Sequence, residues 1–140
     1  MGTAENWQSR IEKELDDLDV IIFNPRRDDW DASWVQSIEN EKFVEQVNWE
    51  LSALEQASVI AMYFDPNTKS PISLLELGLF CRADNMMIVC CPQGFWRKGN
   101  VDIVCRRYSI PVTDKIEVFI KDIRDSLTIM KYFSPGRVDN

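Results

Sequence analysis

Two glutamates of this 140-residue chain interrupt apolar runs. Glu76 stands in "SPISLLELGLF", among Leu74, Leu75, Leu77, Leu79 and Phe80. A lone carboxylate in apolar surroundings shifts its pKa or finds a partner, because burying the bare charge is costly. Glu50 stands in "NEKFVEQVNWELSALEQA", where Phe43, Val47, Leu51 and Leu54 mark the inward stripe of a helix. Position 50 falls within that stripe at 100° per residue, and Trp49 points away. Two inward acids on neighbouring helices form the kind of pair that works at glycosidic bonds. The bland alternatives are a Glu76 that snorkels to solvent or pairs with Arg82 or Lys69, and a Glu50 at the stripe edge with a basic partner. The chain has no histidine. That excludes His-dependent triads and His-ligated metals, and leaves acid–base work to carboxylates, Tyr, Lys or Cys.

Three loops surround these acids in the sequence. "NPRRDDWDAS" opens on the turn signal Asn24-Pro25. It reads either as a solvated charged loop or as a ligand wall, with Trp30 stacking on a planar base and Asn24 and Asp28 as hydrogen-bonding groups. "DPNTKSP" leads into the Glu76 segment, and Ser70 and Ser73 are placed to cap that helix or to hold a sugar hydroxyl or phosphate. In "CPQGFWRKGN", Phe95 or Trp96 could form a second stacking wall, with Arg97 and Lys98 read as a solvated turn. Neither GxGxxG nor GxxxxGK[ST] occurs, so no phosphate-binding fingerprint is present.

The elements that must position these groups alternate. "VIIF" (20–23), "SVIAMYF" (58–64), "MMIVCC" (86–91) and "YSIPV" (108–112) are continuous apolar runs, as strands covered on both faces should be. Helical patterns fall at 5–18, 40–57, 70–84, 99–108 and 114–127, the last with Asp114 as its expected N-cap. Gly78 is expected to let another backbone approach the third helix. This order predicts one α/β domain over 1–130, with a mostly parallel sheet and ligands at the carboxyl ends of its strands, and a loose tail over 131–140.

Composition narrows the function further. The formal net charge of −7 argues against a general nucleic-acid binder. The apolar runs fall short of the roughly 18–20 residues a membrane span needs, and the polar, acidic start does not read as a signal peptide. The four cysteines match neither a zinc site nor a CxxC motif and read as reduced core thiols of a cytoplasmic protein.

Taken together, "NPRRDDWD", "VNWELSALEQASVIAMYFDP" and "SPISLLELGL" resemble the nucleoside 2-deoxyribosyltransferase-like family, over about 1–112. The resemblance implies a flavodoxin-like (Rossmann-like) parallel sheet with helices on both faces. It implies cleavage of the N-glycosidic bond of a (deoxy)nucleoside or nucleoside monophosphate, with the sugar passed to another base or to water. Glu76 matches the nucleophile of the family's "ELG" turn, and Glu50 in "WEL" the acid that positions or protonates the base. Ser70 matches the residue that contacts the sugar or its 5′-phosphate, where Ser leans towards monophosphates. Asn24, Asp28 and Trp30 would line the base side, with Asp65 as a further polar wall. No cofactor and no metal are implied, the partner is a small nucleoside or nucleotide, and relatives that complete their sites across subunits imply a homo-oligomer.

Relatives begin with a strand ending in a "GSI"-like turn, just before the segment that starts here at Met1. The expected sheet therefore lacks its first, central strand, a gap of nearly 10 Å at about two strand spacings. A truncated start, a strand supplied by another chain, and a degenerate domain that binds nucleotides without turnover all fit this pattern.

Overall fold

The computed structural model describes residues 6–25 and 34–133, with side chains to residue 130. Among the described residues five helices and three strands follow one another: α1 (Trp7–Glu14), α2 (Glu41–Gln56), β1 (Val59–Tyr63), α3 (Pro71–Phe80), β2 (Met86–Cys90), α4 (Lys98–Arg107), β3 (Val112–Thr113) and α5 (Ile116–Phe133). The strands form a parallel sheet in the order β1-β2-β3. Val59 pairs with Met86 and Tyr63 with Cys90, while Val89 and Cys90 pair with Val112 and Thr113. This is the expected flavodoxin-like α/β arrangement. Among the described residues β1 is an edge strand, and no strand precedes it.

The continuous apolar runs are explained by burial on both faces. Ile60, Met62, Phe64, Met87, Val89 and Cys91 point to one side, with Leu77 of α3, Val101 and Cys105 of α4, and Leu54 of α2 packed there. Val59, Ala61, Tyr63, Ile88 and Cys90 point to the other, against Ile11 of α1 and Phe119, Ile120 and Ile123 of α5. Phe64, Ile88, Val89, Cys90, Cys91 and Phe119 are fully buried, and side chains of that kind stabilise by about 1.5–3 kcal/mol each.

Local chemistry fixes the helix that carries Glu50. Asn40 Oδ1 accepts from the Phe43 N–H (3.3 Å), an N-cap that starts α2. At the other end, Asn85 Nδ2 donates to the carbonyls of Leu54 (2.9 Å) and Ala57 (2.5 Å). Those carbonyls would otherwise lack partners at the helix terminus. The turn before β2 thereby ties the end of α2 to the sheet.

Three expectations about elements need correction. Val20–Phe23 is not a strand: the segment is irregular and Ile21 is 86% exposed. A β-prone run forms a strand only when a neighbour completes its ladder, and among the described residues none does. The last strand is Val112–Thr113 rather than 108–112. Tyr108 closes α4, Ser109 turns in the left-handed region (φ 56°), and Pro111 has no N–H to give a ladder. Asp114 does not cap α5 with its side chain; its Oδ2 accepts from Gln93 Nε2 at 3.4 Å.

Candidate active site

The loops after β1 and β2 meet at the carboxyl end of the sheet. Gly94 takes φ +93°, and a Cβ there would lie 3.6 Å from Pro66 Cβ in the facing loop. Trp96 Nε1 donates to the Lys69 carbonyl (2.8 Å), joining the two loops directly. The Lys69 ammonium and Arg97 guanidinium lie 4.4 and 4.5 Å from the Trp96 ring centroid. Such cation–π contacts hold the loop rather than leaving it solvated. Phe95 is not a stacking wall: it is buried, with its ring 5.1 Å from that of Phe64. Lys98 is not a solvated turn residue either, since its Nζ donates to the Cys91 carbonyl (2.7 Å) and pairs with Asp102 (3.1 Å).

Within this frame the loop into α3 is self-bonded. Asp65 is buried just past β1, and its Oδ1 accepts from the Asn67 N–H (2.8 Å), an Asx turn. Thr68 Oγ1 donates to the Asp65 carbonyl (3.0 Å) and shares a 2.7 Å hydrogen bond with Ser70 Oγ. Ser70 occupies the N-cap position in the left-handed region (φ 45°), but its hydroxyl makes no cap bond to the helix. The expected capping role of Ser70 is therefore corrected: its Oγ is turned to Thr68. Pro71 follows at the first helical position, where a missing N–H costs nothing.

Glu76 lies in the middle of α3 and is half-buried. Burial, and then the nearby charge of Glu50, push its carboxyl up from 4.5 to about 7. Among the described residues it pairs with neither Lys69 nor Arg82, so the bland alternative of a compensated surface acid does not hold there. Glu50 is also half-buried, and one of its oxygens accepts from Gln46 Nε2 at 2.9 Å. Trp49 points outward, as its position on the stripe requires. Gly78 differs from expectation, because a Cβ there would meet nothing within 4 Å and no backbone approaches it. An apolar cavity of about 170 Å³ lies on the α4 side of α3, lined by Leu74, Leu77, Gly78, Asn100, Val101 and Val104. It includes neither carboxylate.

A pair of carboxyls whose environments push one of them towards neutrality is an acid–base device: one member can hold a proton at pH 7 while the other stays charged. A family model described as nucleoside 2-deoxyribosyltransferase like matches residues 1–95. The chain belongs to that family. The matched stretch carries α1 to α3, β1, β2 and both glutamates, while α4, β3 and α5 lie beyond it. No curated protein matches the chain.

The site residues expected from sequence are placed unevenly. Glu76 and Glu50 are near enough for the charge of Glu50 to act on Glu76, and Asp65 and Ser70 share the loop that feeds α3. Asn24 lies beside α1, donating its Nδ2 to Glu12 Oε1 at 2.9 Å. Asp28 and Trp30 lie outside the described residues. Sequence reasoning missed Gln46, the buried amide that holds Glu50. Its signal was present in the i, i+4 spacing of Gln46 and Glu50 on one helix face.

Proposed function

We propose that the protein cleaves the N-glycosidic bond of a (deoxy)nucleoside or nucleoside monophosphate and passes the sugar to a base or to water. Glu76 is the nucleophile and Glu50 its partner. The observation that carries this reading is the half-buried, unpaired Glu76, raised to about 7 beside Glu50. A desolvated carboxylate is poorly stabilised before reaction. Positive charge developing at the anomeric carbon compensates it, so the interaction is stronger in the transition state than in the ground state. A Glu76 oxygen bonds to the anomeric carbon as the carbon–nitrogen bond breaks. The base leaves with the electron pair and takes a proton from solvent water on the Glu50 side, and an acceptor base or water then displaces Glu76. Ser70 and Thr68, at the mouth of α3, are the hydroxyls available to the sugar or its phosphate. Asn24, Asp28, Trp30 and Asp65 are assigned to the base and sugar walls on the family resemblance, and no cofactor enters the scheme.

Ile72, Leu75 and Leu79 recur at i, i+3 and i+7 on α3 and are exposed, which favours association with a second copy through that face. Light scattering tests this, and a monomer with full activity argues against it. The enzymatic reading is tested by incubating the full chain with deoxynucleosides and their monophosphates and separating the products by chromatography. Release or exchange of base that is lost in Glu76→Gln supports it. Nucleotide binding by calorimetry with no base released supports the second reading, a binding module without turnover. The exposed Ile21–Phe23 segment, which pairs with no strand among the described residues, favours that second reading.

A further inference from the structure

We propose that Gln46 is a positioning residue for the carboxylate pair, holding Glu50 so that its charge stays turned towards Glu76. The inference rests on the reading of Glu50 and Glu76 as the working pair. Gln46 and Glu50 are one turn apart on α2, and Gln46 Nε2 donates to Glu50 Oε1 at 2.9 Å. Gln46 is 5% exposed, the one fully buried residue of that helix. At such a position leucine or methionine would fill the volume without the cost of desolvating an amide. The amide is tolerable there because it is hydrogen-bonded, and one of its bonds goes to an acid that the rest of α2 leaves loose.

Glu50 is otherwise unrestrained. Among the described residues no other group bonds its carboxylate. A half-buried glutamate with three rotatable bonds would swing to water, where its charge is better solvated. The Gln46 amide, fixed by burial on an α2 whose end is tied down by Asn85, gives that carboxylate a preferred direction. One oxygen is occupied by Gln46, and the other remains for the substrate. Glu50 is the charged group that acts on Glu76, so the restraint is felt one helix away.

The test is a double-mutant cycle read by carbon-detected nuclear magnetic resonance of the Glu76 carboxyl during a pH titration of the full chain. Glu50→Gln removes the charge and lowers the Glu76 midpoint from about 7. Gln46→Met keeps the volume and removes the donor. It should lower the same midpoint by roughly half a pH unit or more, because a released Glu50 moves away. Adding Gln46→Met to Glu50→Gln should then leave the Glu76 midpoint where Glu50→Gln put it, since the Gln46 effect on that midpoint passes through Glu50. An unchanged midpoint in Gln46→Met, or shifts that add in the double variant, overturns the proposal. Should Gln46→Met fail to fold, the Gln46 side-chain amide protons of the wild type carry the test. One of them must lose its downfield hydrogen-bonded shift in Glu50→Leu, which removes the acceptor, and a resonance indifferent to that change overturns the proposal. The titration consumes no substrate. A chain that shows the coupling but releases no base loses the reaction and keeps the Gln46 assignment, and the converse result does the opposite.

Discussion

Replacing Glu76 with glutamine removes a carboxyl that burial and the charge of Glu50 push from 4.5 up to about 7. In the unfolded chain this group gives up its proton near pH 4.5, whereas in the native fold it keeps the proton until about pH 7. Between those values the native state binds more protons than the unfolded one, so its stability falls as pH rises. Each pH unit of difference is worth at most about 1.4 kcal/mol, and solvent screens this part-exposed carboxyl, so above pH 7 the loss levels off at roughly 1–2 kcal/mol. Glutamine has nearly the same volume and no charge to desolvate, and it escapes that loss. Glu76→Gln should therefore gain on the wild type by an amount that is small at pH 4 and grows to roughly 1–2 kcal/mol at pH 8. Urea unfolding followed by tryptophan fluorescence at each pH from 4 to 8 measures it. A stability difference that stays constant across that range would refute the reasoning, because a merely repacked side chain has no reason to follow pH.

Three further outcomes are expected. The kcat/KM for base release should rise with pH through about 7 as Glu76 ionises, and Glu50→Gln should move that rise to lower pH; a rate that falls over the same interval contradicts the nucleophile role. Asn85→Ala leaves the Leu54 and Ala57 carbonyls without their donor and should cost about 1–3 kcal/mol, read as a lowered Tm; an unchanged Tm would mean that water replaces it fully. Burial pushes the thiols of Cys90 and Cys105 up to about 12 and that of Cys91 to about 11, so a thiol reagent at pH 8 should modify half-exposed Cys81 long before the other three. Rapid labelling of all four in the native protein would contradict the packing of β2 and α4.

What the sequence could disclose depended on whether a residue's fate was decided locally. α2, β1, α3 and β2 lie close to where the 3.6 and continuous apolar patterns put them, because the same side chains that make the pattern fill the two cores. "VIIF" carries as strong a β signal as "MMIVCC", yet a strand is a property of two segments, and its ladder partner is not written in its own residues. β3 slid along because Ser109 adopts a left-handed turn and Pro111 cannot donate, both tertiary outcomes of where α4 ends. At the site, Glu76 was legible as an acid among leucines. The role of Gln46 was marked only by its i, i+4 spacing from Glu50, since on α2 its buried position had no apolar mark. By its place in a loop Phe95 reads, like Trp96, as a candidate stacking wall, and only the opposite Phe64 turns it into core. Ser70 reads by its place as a cap or as a contact for a sugar hydroxyl or phosphate, and the fold turns its hydroxyl to Thr68 rather than to the helix.

The central claim is that Glu76 bonds to the sugar, and acid-quenched intact-protein mass spectrometry during turnover tests it most directly. The account predicts that the protein gains one deoxyribosyl or deoxyribosyl-phosphate group, that peptide mapping puts it on Glu76, and that Glu76→Gln carries none. Release of base by a Glu76→Gln protein, or an adduct mapped to another residue, would contradict it.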